Sequence, residues 1–138
     1  MAELYVVGAE LLRCTVEGKP VSKGRPRCAC RGGYPKIYTP KETEEAEEAL
    51  REVVALHWAG RQPYNGPMEL SCVFYGAHGS ADGDNLMKLV ADALGGPPGE
   101  PFVFSNDKLI KNWHGYVRKK DQHGARTEIR LNALEAGT

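Results

Sequence analysis

The chain has 138 residues, 41% of them hydrophobic and 26% charged, and its formal net charge is zero. These values are ordinary for a globular protein, so we expect residues 1–138 to form one domain, and no run of 18 apolar residues is present that would predict a transmembrane helix. The N-terminus lacks the basic and apolar regions of a signal peptide, and we therefore expect a cytoplasmic protein whose four cysteines are reduced.

The first part of the chain predicts a strand followed by a long basic loop. Residues 11–17 alternate in part and contain β-branched residues, which favours a strand. Residues 18–38 are rich in Gly, Pro and cations and contain no acid, which predicts a loop with a local positive field despite the neutral total. Its cations can form a solvated surface or contact DNA phosphates. On the second interpretation, the DNA-binding residues are Lys19, Lys23, Arg25, Arg27, Arg31 and Lys36.

A helix is predicted over residues 40–59. Thr39 can cap its start, Pro40 suits the first helical position, and Glu42 completes a capping box. Apolar residues follow at helical spacing, and Gly60 is a suitable C-terminal stop.

The second half predicts a further helix between strands. Residues 69–76 are rich in β-formers and predict a strand. Residues 84–94 predict a helix, because their apolar side chains cluster on one side and two glycines follow. Residues 109–118 and 126–131 predict two strands that pair with each other through a turn. The order β-α-β-α-β-β indicates an α+β fold, in which a small mixed sheet packs against two helices.

Three acids and one lysine are the candidate chemical groups. Asp82 and Asp84 are one residue apart at the start of the second predicted helix, and Asp107 comes from a separate segment. Each acid alone is better explained by a helix cap or a turn, in which Asp is common. Two acids exceed what one cap needs, and like charges close together are costly unless a cation offsets them. Three carboxylates brought together can hold Mg²⁺, which prefers oxygen ligands.

Lys88 lies four residues after Asp84, one helical turn away. Its amine can form an ordinary ion pair with Asp84, or it can stabilise negative charge on a phosphate during reaction. Asp92, one turn further along the same face, is a candidate for a supporting role rather than a metal ligand. The pattern therefore predicts metal-dependent phosphodiester chemistry, with no organic cofactor site.

Two other classes of protein remain open from these residues. A DNA-binding module without cleavage, specific for junctions or single strands, would use the basic loop equally well but has no need for three acids. A zinc-containing interaction protein is a remoter alternative, because Cys28 and Cys30 form one pair of ligands and the sequence shows no obvious second pair.

In these segments the chain resembles the RusA-type Holliday junction resolvases, which are crossover junction endodeoxyribonucleases. The matching motifs occur in family order and cover most of residues 14–131. They are Gly18-Lys19-Pro20, Lys23-Gly24-Arg25-Pro26-Arg27, Tyr38-Thr39-Pro40, Asp82-x-Asp84-Asn85-Leu86-x-Lys88, Asp92-Ala93-Leu94, and Asn106-Asp107 with Ile110. The acidic segment with its lysine is the most specific of them.

The resemblance implies a homodimeric endonuclease that depends on Mg²⁺, with Mn²⁺ as a substitute, and that resolves four-way DNA junctions by paired cuts. It also implies a role in DNA recombination and DNA repair, in which the protein acts on DNA at the nucleoid or on phage or prophage DNA. Carried over by position, Asp82, Asp84 and Asp107 hold the metal and Lys88 is the essential lysine. The chain departs from the family pattern in having Ala81 before the first acid and Asn106 where a second acid often stands.

Overall fold

The computed structural model describes residues 4–23, 27–31, 34–38, 41–79, 81–97 and 99–137. For residues 27–31 and 34–38 it describes the backbone of two strands but not the side chains. Two α-helices, one 3₁₀ turn and six strands occupy these ranges. In chain order they are β1 (Tyr5–Glu17), β2 (Arg27–Arg31), β3 (Tyr34–Tyr38), α1 (Lys41–Trp58), β4 (Met68–Tyr75), α2 (Gly83–Gly95), the 3₁₀ turn (Asp107–Leu109), β5 (Ile110–Arg118) and β6 (Arg126–Ala136).

Four strands form one mixed sheet in the order β1-β6-β4-β5, and β2 and β3 form a separate antiparallel pair. Strand β6 is antiparallel to both of its neighbours, whereas β4 and β5 are parallel. A parallel pair needs a crossover connection, and α2 supplies it. The predicted α+β fold, with a small mixed sheet and two main helices, is confirmed.

The predicted pairing of the last two strands with each other is wrong. Strand β4 lies between them, because β6 pairs with β1 and β4 while β5 takes the outer edge. Alternate residues of β4 are buried, as expected for a strand with one face against helices. The predicted turn does reverse the chain, with a bridge between Asp121 and Gly124, but it leads the chain across β4 rather than into a hairpin.

The predicted loop over residues 18–38 is also corrected, since it contains the β2–β3 hairpin. The register places basic positions opposite tyrosine positions, with Arg27 opposite Tyr38 and Arg31 opposite Tyr34. The Gly and Pro residues of this segment, which favoured a loop, lie before β2, between the two strands and at Pro35 in β3, and none interrupts the first strand. Strands β1 and β6 are each longer than predicted, because they pair with one another beyond their alternating segments.

Both helices pack on the sheet through one apolar stripe. In α1 the stripe consists of Leu50, Val54 and Trp58, whereas Leu56 is 82% exposed. In α2 the predicted face is confirmed, and its members Leu86, Leu89, Val90, Ala93 and Leu94 are all buried. Burying each large aliphatic side chain contributes about 1.5–3 kcal/mol, so these stripes fix both helices against the sheet. No helix in the described ranges combines the length and the apolar character that crossing a bilayer requires.

Two free cysteines lie in the centre of the sheet. Cys14 on β1 and Cys72 on β4 are both in register with Ile129 on β6. Burial raises the pKa of the Cys14 thiol to about 11, and burial together with the neighbouring Cys14 raises the pKa of Cys72. Both thiols therefore remain protonated and act as small apolar side chains. The Cys28 and Cys30 side chains, on which the zinc alternative depends, lie outside the description.

The turn before β6 is held by Arg126, which is buried although it carries a charge. Its guanidinium donates to both oxygens of Asp121, at 2.6 and 3.0 Å, and to Glu128 at 3.2 Å. It also lies 3.8 Å from the centroid of the Tyr75 ring. The hydrogen bonds from Arg126 lower the pKa of Asp121 to about 2.

Replacing Asp121 by asparagine should make the protein less stable at neutral pH. The pKa of Asp121 is depressed in the folded state, so its contribution is complete above the ordinary value of 3.8 and is lost as the pH falls towards about 2. Urea unfolding between pH 7 and pH 2 should therefore show a difference between wild type and Asp121→Asn that shrinks below about pH 4. The control is Glu52→Gln on the exposed side of α1. A difference that stays constant down to pH 2 would contradict the assignment.

Candidate active site

The first two candidate acids lie at the N-terminus of α2. Asp82 is the N-cap residue, and one of its carboxylate oxygens accepts the Asp84 backbone N–H at 2.8 Å. The local interpretation of Asp82 as a cap is therefore confirmed. Asp84 is exposed in the first helical turn, and its side chain has no hydrogen-bond or ion-pair partner among the described residues. Both carboxylates lie where the helix dipole favours negative charge.

Lys88 connects the third acid to the same helix. Its amine lies 3.6 Å from an oxygen of Asp107 and 3.9 Å from an oxygen of Asp92. Asp107 begins the 3₁₀ turn ahead of β5, and Asn106 caps this turn by accepting the Lys108 backbone N–H at 2.9 Å. The structure thus brings an acid from a distant segment onto the face of α2 that carries Asp84 and Lys88.

The three acids are not gathered around one point. Across the described ranges, no three His, Cys, Asp or Glu side chains are close enough together to hold a metal ion. Topology gives the reason, because α2 runs back between two parallel strands and the residues before the second strand meet its side rather than its N-terminus. Asp107 accordingly contacts Lys88, about 6 Å further along the helix than Asp84.

The donor set nevertheless fits a hard divalent cation. All three side chains offer carboxylate oxygens, the ligand type that Mg²⁺ and Mn²⁺ accept. Asp82 and Asp84 are exposed and Asp107 is half-buried, so water and phosphate can reach them. Only one oxygen of Asp82 is used for the helix cap, and the rest of the oxygens on the two helix acids are free among the described residues.

Asp92 occupies the centre of a larger ion-pair network. One of its oxygens lies 3.9 Å from Lys88 and the other lies 2.5 Å from the amine of Lys23. Lys23 also contacts Glu47 on α1 at 3.0 Å, and Glu47 in turn pairs with Arg51 at 3.3 Å. Glu47 was not predicted from the sequence, where its only visible signal is the one-turn spacing to Arg51.

The electrostatic environment of Lys23 differs from that of a solvent-facing cation. Partial burial favours its neutral form, but the hydrogen bonds and charges of Asp92 and Glu47 outweigh this effect and raise the pKa of Lys23. The Lys23 amine is therefore positively charged, and its partners are carboxylates of the protein itself.

The remaining predicted DNA contacts are distributed along the basic segment. Lys19 is exposed and has no partner among the described residues. Arg27 and Arg31 occupy β2 and Lys36 occupies β3, as strand positions only. Arg25 lies outside the described residues.

A cavity of about 550 Å³ adjoins the site. Residues from α1, from the C-terminal half of α2 and from the segment before the 3₁₀ turn line it, and they include Glu47, Asp92 and Asp107. The cavity opens beside the carboxylate that Lys88 contacts, so a ligand at Asp107 has access from solvent.

Comparison with known proteins gives one family. The family model described as Endodeoxyribonuclease RusA matches residues 17–132, which include every predicted site residue. No curated protein matches the sequence.

Proposed function

Because this chain belongs to the RusA endodeoxyribonuclease family, we propose that it resolves four-way DNA junctions by Mg²⁺-dependent, paired hydrolysis of phosphodiester bonds. Family membership carries the coarser statement, that the chain is an endodeoxyribonuclease. The finer statement is supported by the contact between Lys88 and Asp107 at 3.6 Å, which joins two motifs that are far apart in sequence. We propose that residues 1–138 act as one nuclease domain.

Each site residue then has a distinct role. Asp82, Asp84 and Asp107 would hold Mg²⁺ or Mn²⁺, which requires their carboxylates to come closer together than they lie here. When bound, the ion polarises the phosphate and supplies a water of lowered pKa. Lys88 presents its ammonium group to the phosphate and stabilises the negative charge that develops there. The exposed cations of the basic segment, with Lys19 as the described example, bind the DNA backbone without reading sequence.

We further propose that the active species is a homodimer. A four-way junction has approximate twofold symmetry, and a twofold dimer would present one active site to each of two equivalent strands. The two incisions are then made by the two subunits of the dimer, each of which supplies one active site. A resolvase acts where DNA recombines or is repaired, so we place it in the bacterial cytoplasm, at the nucleoid or on phage DNA.

The test uses a supercoiled plasmid that extrudes a cruciform, incubated with the purified protein and Mg²⁺. Two coupled cuts convert the plasmid directly to the linear form, whereas uncoupled cuts first accumulate nicked circles. We expect linear product with Mg²⁺ or Mn²⁺, none with EDTA, and none on the same plasmid without the cruciform. Binding without cleavage in Mg²⁺ would instead support the non-cleaving module. Nicked circles alone would contradict the dimer.

A further inference from the structure

We propose that Lys23 is a positioning residue for Lys88 and not one of the DNA contacts. This inference rests on the proposed function, and it concerns how the basic segment is joined to the reactive lysine. The link is Asp92, whose two carboxylate oxygens are divided between the two lysines.

Lys23 is anchored at both its side chain and its backbone. The side chain is 27% exposed and lies between Glu47 and Asp92, whose own side chains are 12% and 27% exposed. The Lys23 backbone N–H donates to the Asn85 carbonyl at 3.0 Å, which ties the basic segment to the first turn of α2. Lys23 also lines the cavity beside the site, but two carboxylates already bind its amine, so a phosphate there would have to compete with both.

Lys19 shows the contrast four residues earlier. It is exposed, and the described part of the chain gives it no ion pair or hydrogen bond. One basic segment therefore contains two kinds of lysine, one free to meet DNA and one used to join the segment to α1 and α2.

Removal of Lys23 has a definite consequence for Lys88. Glu47 keeps Arg51, which also donates to the Ala93 carbonyl at 3.1 Å. Asp92 loses its nearest cation, and among the side chains that the structure describes the cation that remains beside it is Lys88, at 3.9 Å. Unbalanced charge on Asp92 should then draw the Lys88 amine towards it and away from Asp107, because opposite charges attract more strongly at short range in a partly buried site.

The experiment compares Lys23→Ala with Lys19→Ala and with a matched control, Lys41→Ala. Lys41 also forms an ion pair, with Glu45 at 3.7 Å, but its side chain is 88% exposed and outside the site. Junction affinity is measured against salt concentration, and cleavage is measured in a single turnover at saturating protein. The side-chain resonance of Lys88 is followed by NMR in the same variants.

We expect Lys23→Ala to leave the salt dependence of binding unchanged and to lower the saturated cleavage rate about 10- to 100-fold, the usual size of a supporting-residue effect. Lys19→Ala should reduce the slope of log affinity against log salt by about 0.9, which corresponds to one phosphate contact. Lys41→Ala should change neither quantity. The Lys88 resonance should shift in Lys23→Ala and stay in place in Lys41→Ala.

Asp92→Asn provides a second variant, because asparagine keeps the shape but removes the charge shared by both lysines. It should also lower the saturated rate, and combining it with Lys23→Ala should add little. The proposal is overturned if Lys23→Ala reduces the salt slope as Lys19→Ala does, or if the Lys88 resonance does not move. Failure of the proposed function appears differently, as a wild-type protein that cuts no junction, and the NMR measurement still decides the position of Lys88.

Discussion

Replacing Asp84 by asparagine is expected to abolish Mg²⁺-dependent junction cleavage while leaving binding and folding nearly unchanged. Asparagine has the same shape, and the Asp84 side chain has no partner among the described residues whose loss would affect stability. The change removes a charge that the dipole of α2 favours, so it should lower the free energy of unfolding by only about 0.3–1 kcal/mol. A metal ligand, by contrast, contributes several kcal/mol to stabilising the transition state. At about 1.4 kcal/mol per tenfold change, cleavage should fall on the order of 10³-fold.

Three measurements check this prediction: the single-turnover rate, the junction dissociation constant, and the binding of Mn²⁺ by calorimetry. Asp82 supplies a matched comparison, because its cap and its charge can be separated. Asp82→Asn keeps a good N-cap and removes the charge, whereas Asp82→Ala removes both and should cost about 1 kcal/mol of stability. Cleavage should be lost in both. If Asp84→Asn cuts junctions as fast as the wild type, Asp84 is not a metal ligand.

Lys88→Ala is expected to lower cleavage by about 10²- to 10³-fold, the usual effect of removing one group that stabilises charge in the transition state. Its effect on folding should be small. The Lys88 side chain is 53% exposed, and its two carboxylate partners lie at 3.6 and 3.9 Å. Ion pairs exposed to this degree contribute about 0.2–1 kcal/mol, since water screens them.

The test measures the cleavage rate and the melting temperature of the same samples, beside Lys41→Ala as a control that loses an exposed pair. A variant that melts several degrees lower but still cuts at the wild-type rate would show that Lys88 serves only an ion pair. A rate loss without a change in melting temperature supports its role at the phosphate.

Local spacing was sufficient to predict much of this fold. The apolar repeat of α2 predicted its buried face correctly, because the helix packs one face on the core and its sequence must follow that period. The richness of β4 in β-formers likewise predicted a strand correctly. The neighbours of β6 were not predictable in the same way. A strand that follows β5 after a short turn favours a hairpin with β5. In the folded sheet both β5 and β6 pair with β4 instead, one on each side, and this pairing is not visible in local spacing.

The site residues also fall into those that local spacing predicts and those that it does not. Asp84 and Lys88 lie one turn apart on α2, so their shared face follows from a period of 3.6 residues, and Asp82 is the N-cap of the same helix. The contacts of Lys23 with Glu47 and Asp92 join positions that are distant in the chain, and no periodic pattern records them. A basic segment also suggests DNA contacts for all its members alike. Among the described side chains, the structure separates Lys23 from Lys19 by its burial and by the two acids that it contacts.

The position of β6 has a consequence for how this protein is made. This strand is the last of the described elements to leave the ribosome, yet it lies inside the sheet and joins β1 to β4. A nascent chain that lacks it cannot join the first strand to the sheet, and such long-range pairing is slow to form. The four-stranded sheet of this nuclease can therefore be completed only after residue 136 has left the ribosome.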